Sequence, residues 1–337
     1  ETIGRAIVRF RPSDKLTFEG TAEGAFNWLK TDTSFIENAA PVSLPAAHVR
    51  VEEKRGELSG QVTWKPSAKL MIEAGLRTEV STISSSGDVI LEKTLTFPKP
   101  RLVLTWSPDQ QNQVRLRGER EVGQLNFRDF VASSSLNTGS VQAGNPDLEP
   151  QTAWVGEATY ERRFWGSGAI TLTYRHSEIQ NAVDRVPIFD PNDPTSVFDA
   201  PGNIGDGKED DFIFGATLPL DRFLLKRAQL KGSGTFRWSD VTDPTTGETR
   251  RITGQHPWDF ELHFTQDLPR WKLNWGADLF NRWTETYYRF NEIDLYALKT
   301  WVDIFVEYKP QPDLALRFEL DNLGARGLER DVHAYAG

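Results

Sequence analysis

No cysteine occurs among the 337 residues, which rules out a disulfide framework and thiolate metal sites. Histidine is sparse: five are scattered along the chain, and His256 and His263, seven apart, fall on opposite faces if they share one strand. That spacing does not suit a metal centre, and none is expected. Long apolar runs are missing too. No stretch approaches the roughly 20 residues of a spanning helix, and hydrophobic residues are only 38% of the chain. Basic charge is in the minority, with 39 Lys and Arg against 48 Asp and Glu and a net charge of −9. A nucleic-acid binder carries the opposite bias. The sequence has no phosphate loop, metalloprotease helix or nucleophile elbow, so no enzyme activity and no cofactor are expected. An initiator Met and a signal peptide are also missing.

Aromatic residues are plentiful, with 11 Trp and 20 Phe against one Met, and they recur in alternating runs. In 16–28, Leu16, Phe18, Gly20, Ala22, Gly24, Phe26 and Trp28 share one face. Thr17, Glu19, Thr21, Glu23 and Asn27 share the other. Period two with unlike faces marks a β-strand, and a helix would mix the two sets. The run 152–164 behaves alike, with Trp154, Ala158, Tyr160 and Phe164 opposed to Glu157, Thr159, Glu161 and Arg163. The turn Trp165-Gly166-Ser167-Gly168 then leads into a returning strand from Ala169 through Tyr174 toward Val186.

Repeating this reading predicts about fourteen strands. Short turns follow Phe10, Trp64, Trp106, Phe164, Phe264 and Tyr308, all aromatic, while most other joins are longer and polar. Lys30 to Ala47 and Phe189 to Gly207 are expected as loops, and Asn126 to Leu136 as a short helix. The last pair is expected at Tyr296 to Tyr308 and Leu314 to Leu323. Pro98 and Pro100 are expected to weaken their strand or mark a bulge. Short turns at one end, long loops at the other and a row of aromatics at the short-turn end describe an antiparallel transmembrane β-barrel. Unpaired backbone is costly in hydrocarbon, so strands survive there only in a closed ring. The chain is therefore expected as the middle and later part of a longer polypeptide, with residues 1–337 forming one partial barrel domain.

Two motifs sharpen the expectation. Gly144-Asn145-Pro146-Asp147-Leu148-Glu149-Pro150 resembles a signature of TonB-dependent outer-membrane receptors, and Leu316 through Asn322-Leu323 resembles that family's next-to-last strand. The resemblance implies a plugged barrel of twenty-two strands, of which this chain would supply roughly strands eight to twenty-one. Plug domain, TonB box and last strand are not in this sequence. It further implies the outer membrane of a Gram-negative bacterium, with outer-membrane lipid around the barrel. A scarce small-molecule ligand, by default an iron-siderophore, would be imported with energy from TonB, ExbB and ExbD acting through an N-terminal segment. A passive porin-like channel and a soluble β-rich binding protein are the alternatives.

The motif residues Gly144, Asn145, Pro146, Leu148, Pro150, Asn322 and Leu323 are expected to be structural. Ligand or lumen candidates are Arg77, Arg115, Arg117, Glu119, Arg175, Tyr287 and Tyr288. For the charged candidates, mutually paired wall residues are the expected reading ahead of a transport path. The aromatics Phe35, Phe130, Phe189 and Phe198 are further ligand candidates, because exposed loop aromatics often bind. Asp190 to Asp193 and Asp206 to Asp211 are acidic enough for calcium, but the first departs from EF-hand spacing and both are read as solvated loops.

Overall fold

In the computed structural model the described residues are 2–37, 40–42, 47–88, 90–130, 133–135, 140–142, 144–145, 147–190 and 193–335. Fourteen strands follow one another across a single sheet. They are β1 (Thr2–Ser13), β2 (Leu16–Asp32), β3 (His48–Ser67), β4 (Leu70–Gly87), β5 (Leu91–Trp106), β6 (Asn112–Val122) and β7 (Thr152–Phe164). Then come β8 (Gly168–Gln180), β9 (Gly207–Pro219), β10 (Ala228–Thr242), β11 (Trp258–Leu268), β12 (Leu273–Phe280), β13 (Trp301–Gln311) and β14 (Leu314–Leu320). A fifteenth strand, Thr249–Arg250, pairs with the end of β10. Every strand is antiparallel to its sequence neighbour, so β1 and β14 are the two edges of this sheet.

Register keeps like faces together. Phe18 lies between Phe10 and Val62, and Glu19 between Arg9 and Gln61. A one-residue slip would turn every charge to the apolar face, so the pattern itself fixes the pairing. The apolar face is open: Trp28, Leu58, Leu76 and Leu102 are each more than half exposed. What is buried gathers at the long-loop end of the charged face, as Val49, Val51, Ile83, Phe130 and Leu148, and as Ala153, Val155, Ile179, Ala182 and Val241.

Aromatics mark the short-turn end. Regular pairing stops at Phe10, Trp64 and Tyr308, where the register shifts, and Pro12, Pro66 and Pro310 occupy those shifts. Pro98 and Pro100 depart from expectation. β5 runs through both without a break in register against β4. Its ladder with β6 begins only at Arg101. Arg120 Nη1 of β6 donates to the Pro98 carbonyl (3.3 Å), so Pro98 turns its hydrogen-bonding edge toward β6. Each missing N–H thus faces a side where no ladder forms.

Other departures lie in the long connections. β8 ends at Gln180, where Asn181 takes a left-handed φ of 53°, instead of running on to Val186. The expected loop 189–207 is mostly a hairpin, Val183–Asp190 with Asp193–Asn203. The expected strand from Tyr296 is two elements. Glu292–Leu298 pairs with Trp283–Tyr288 and with Leu328–Ala334, and β13 starts at Trp301. The helix expected at 126–136 is a single 3₁₀ turn, Phe127–Phe130, and 131, 132 and 136 lie outside the described residues. β2 extends to Asp32, and Phe35–Glu37 pairs with Ala40–Val42 where a loop was expected.

Candidate functional site

The charged face carries ladders of alternating sign. Across β1 to β5, Glu23 bridges Arg5 (2.6 Å) and Arg55 (3.4 Å), and Lys99 bridges Glu57 (3.3 Å) and Glu79 (2.6 Å). Across β5 to β8, Glu119 joins Arg101 (3.1 Å) to Arg117. Arg117 reaches Glu157 at 2.5 Å, Glu157 meets Arg115 at 3.3 Å, and Glu121 meets Arg175 at 2.8 Å. Such ladders are strongly polar yet self-neutralised, because Arg55, Lys99, Arg117 and Arg175 each have a carboxylate within reach.

At the long-loop end the connections lock together over this face. Arg250, whose side chain is 7% exposed, bridges Asp184 (2.8 Å) and Asp243 (2.6 Å) and lies 4.2 Å over the Tyr288 ring. Asp294, fully buried, takes Arg330 at 2.8 Å and Arg289 at 3.5 Å. Asp199 accepts from the Phe290 amide at 3.1 Å. Burial pushes the Asp199 carboxyl above its ordinary range, against that amide and the nearby Arg289 and Arg185. Burial raises Asp129 likewise, with Arg185 opposing.

Below these loops a cavity of about 410 Å³ opens between Ser233, Thr235, Asp259, Glu261, Phe280, Asn281, Trp283 and Arg326. Its carboxylates are engaged: Asp259 meets His256 at 2.7 Å, and Glu261 accepts from Ser233 Oγ at 2.9 Å. Arg326 differs from the ladder arginines. Its guanidinium lies 5.7 Å from the Trp301 ring and has no ion-pair partner among the described residues; its buried Nε, like those of Arg117 and Arg175, has no hydrogen-bond partner. A partly desolvated cation beside an indole face is suited to a planar anionic group.

The sequence matches the TonB dependent receptor-like, beta-barrel family over residues 9–323. The chain belongs to that family. This TonB-dependent receptor barrel is an outer-membrane β-barrel, so its apolar face is the one suited to lipid. No curated protein matches the sequence. Solved structures of similar fold include the copper transporter OprC, with TM-score 0.71, 10% identity, and coverage of 95% of this chain and 50% of that one. The FrpB iron transporter from Neisseria meningitidis (F3-3 variant) has TM-score 0.66, 10% identity, and coverage of 94% and 49%. The ferric enterobactin receptor PfeA from Pseudomonas aeruginosa, a mutant form, has TM-score 0.64, 14% identity, and coverage of 96% and 48%. The chain spans about half the length of each of these.

The family motif sits at a junction between loops and wall. Asn145 donates from Nδ2 to the Pro201 carbonyl (2.9 Å) and accepts from the Asp147 amide (3.1 Å). Glu149 and Asn203 exchange two hydrogen bonds. Leu148 is 1% exposed against Val49, Val51, Ile83 and Phe130, and Gly144 and Pro150 are buried. Pro146 lies outside the described residues. Asn322 adopts φ 54° and clamps Arg326 by its main chain, with Oδ1 accepting from the Arg326 amide at 2.5 Å. Leu323 donates from its amide to the Val302 carbonyl at 2.9 Å.

Of the ligand candidates, Arg77 pairs with Glu57 at 3.3 Å, and Arg115, Arg117, Glu119 and Arg175 belong to the second ladder. Tyr287 packs edge-on against Tyr296, and Tyr288 lies under Arg250. Phe130 is core, Phe198 is half-buried and Phe189 is exposed, while the Phe35 side chain lies outside the described residues. His256 precedes β11 and stacks on Trp283 instead of sharing a strand with His263. Among the described residues no group of His, Asp and Glu is placed to hold a metal ion. Of the two acidic stretches, 190–193 is largely outside the described side chains. In the other, Asp210 and Asp211 are taken up by His176 and Arg237. Sequence reading missed Arg326. Its signal was position, four residues beyond the Asn of the Asn-Leu motif.

Proposed function

We propose that residues 1–337 form one domain, the ligand-binding barrel wall of an outer-membrane importer energised by TonB, ExbB and ExbD. The wall performs no bond chemistry. Its cargo is a scarce small molecule with a planar anionic group, an iron-siderophore by default, and Arg326 with Trp301 and Trp283 meets that group at the outer mouth. Among proteins of similar fold, FrpB is an iron transporter, PfeA a ferric enterobactin receptor and OprC a copper transporter. The observation that supports the reading is the Arg326 guanidinium, which lines the cavity with Trp283, lies 5.7 Å from the Trp301 ring and has no ion-pair partner among the described residues. Growth and uptake of labelled ferric siderophore under iron limitation test it. Uptake is expected to depend on this protein, to vanish when TonB is deleted, and to fall by about tenfold in R326A, the worth of one charge-assisted contact. Uptake that survives loss of TonB would leave a passive channel.

A further inference from the structure

The tight turns differ from the rest of the chain in charge. Segments 11–15, 65–69, 107–112, 162–168, 220–227, 266–272 and 309–313 hold twelve Lys and Arg against five Asp and no Glu, in a chain of net charge −9. The excess is densest where the β7–β8 turn meets the β9–β10 turn. Arg162, Arg163, Arg222, Lys226 and Arg227 gather there against Asp221. Arg227 pairs with Asp267 and Arg163 with Glu161, but Arg222 and Lys226 form no ion pair among the described residues.

The same two turns present bulky apolar side chains to the outside. Phe164, on the lipid face, meets Trp165 edge-on at 4.9 Å, and Trp165 meets Phe223 at 6.0 Å. Arg222 lies 5.2 Å over the Trp165 ring. The 3₁₀ turn Leu220–Phe223 ends at Leu224 with φ 68°, a left-handed conformation that is costly for a residue with a branched side chain. That cost yields no burial within the protein, for Leu224 is 89% exposed and Phe223 60%. The turn itself is held by the Arg227 amide donating to Asp221 (3.0 Å) and the Ala228 amide donating to the Leu225 carbonyl (3.2 Å), so its apolar side chains are left free to meet a surface outside the chain. The ring contacts make this lip continuous with the lipid-facing wall, at the level just beyond the aromatic row where headgroups lie.

We propose that the lip formed by residues 162–168 and 220–227 docks an anionic phospholipid of the inner leaflet. Arg222 and Lys226 donate to the headgroup phosphate, while Phe223, Leu224 and Leu225 enter the adjoining acyl region. Apolar insertion and basic residues together give the two signals that stable, headgroup-selective membrane contact needs. This proposal depends on the barrel's place in the membrane and not on the cargo.

Native mass spectrometry tests it, on protein extracted in detergent and titrated with phosphatidylglycerol or phosphatidylcholine. The expected result is a preference of about tenfold for phosphatidylglycerol, falling to threefold or less in the R222Q/K226Q double variant. The F223S/L224S variant is expected to weaken both lipids alike. Heat-modifiable electrophoretic mobility checks that each variant is a folded barrel. Equal binding of the two lipids by the unmodified protein overturns the proposal, as does a preference unchanged in R222Q/K226Q. Displacement of phosphatidylglycerol by millimolar glycerol phosphate also overturns it, by showing a site for soluble anions.

Discussion

Asp243 shows how one carboxylate organises a turn at the long-loop end. Its Oδ1 accepts from the amides of Thr245 (2.9 Å) and Thr246 (2.8 Å), and its Oδ2 takes Arg250. Burial alone would raise its pKa, but the Arg250 hydrogen bond and the two amides outweigh burial and hold it below the ordinary carboxylate range. A depressed folded value means the carboxylate stabilises this turn above the unfolded pKa of about 3.9 and loses that effect as pH falls through the folded value. Amides of residues 245–247 are expected to keep hydrogen-exchange protection at pH 6 and lose it progressively below about pH 4. In D243N the protection is expected to be low at both. Unchanged protection at pH 3 would show that backbone geometry, and not charge, holds the turn. Arg326 makes the complementary point. Its chemistry lies in an absent partner, which its place four residues beyond Asn322 marks but does not reveal.

Among the contacts that dock the 183–203 hairpin, one buried ion pair comes from another connection. Arg250 enters from the β10–β11 loop and meets Asp184 and Asp243, whose side chains are 3% and 12% exposed. Truncating it leaves two carboxylates without their cation in a desolvated place. R250A is expected to cost about 3–5 kcal/mol of local stability, and R250A/D184N/D243N to recover part of it. Hydrogen exchange over 183–203 reads both, and equal exchange in R250A and the parent would show that the hairpin docks by its backbone. These elements also divide what was legible from what was not. In β2 or β7 one face meets lipid and the other the lumen, so alternation over a dozen residues announced strand, register and polarity together. The hairpins 183–203 and 283–298 pack against other loops on irregular sides, so no period survives in them. Asn181 ends β8 through a left-handed φ that its neighbours in sequence do not signal. Arg117 and Arg326 look alike in sequence, and only the fold gives one a carboxylate on each side and the other an indole.

At the scale of the molecule, the strongest constraint is the two sheet edges. β1, twelve residues long, and β14, seven, each present backbone groups with no strand beside them in this sheet. In hydrocarbon an unpaired N–H or C=O costs several kcal/mol, on the order of tens of kcal/mol for an edge that spans the bilayer. Side-chain burial cannot offset this, because the apolar face already meets lipid and the lumen face is ion-paired. Both edges must therefore be paired, by further strands or by each other. The similar solved structures, of which this chain spans about half, have length enough to supply them within one polypeptide. The intact mass of the protein from detergent-solubilised outer membranes is therefore expected near twice 38.2 kDa, with N-terminal sequencing reading residues ahead of Glu1. The added sequence is expected to hold the plug and the segment that meets TonB, and the strands that pair with β1 and β14. A mass of 38.2 kDa with no companion chain would require the two edges to pair with each other, giving a narrower ring of fourteen strands. In that ring the diameter, which grows with strand number, would leave less room for a plug. The passive channel would then be the better account of the lumen.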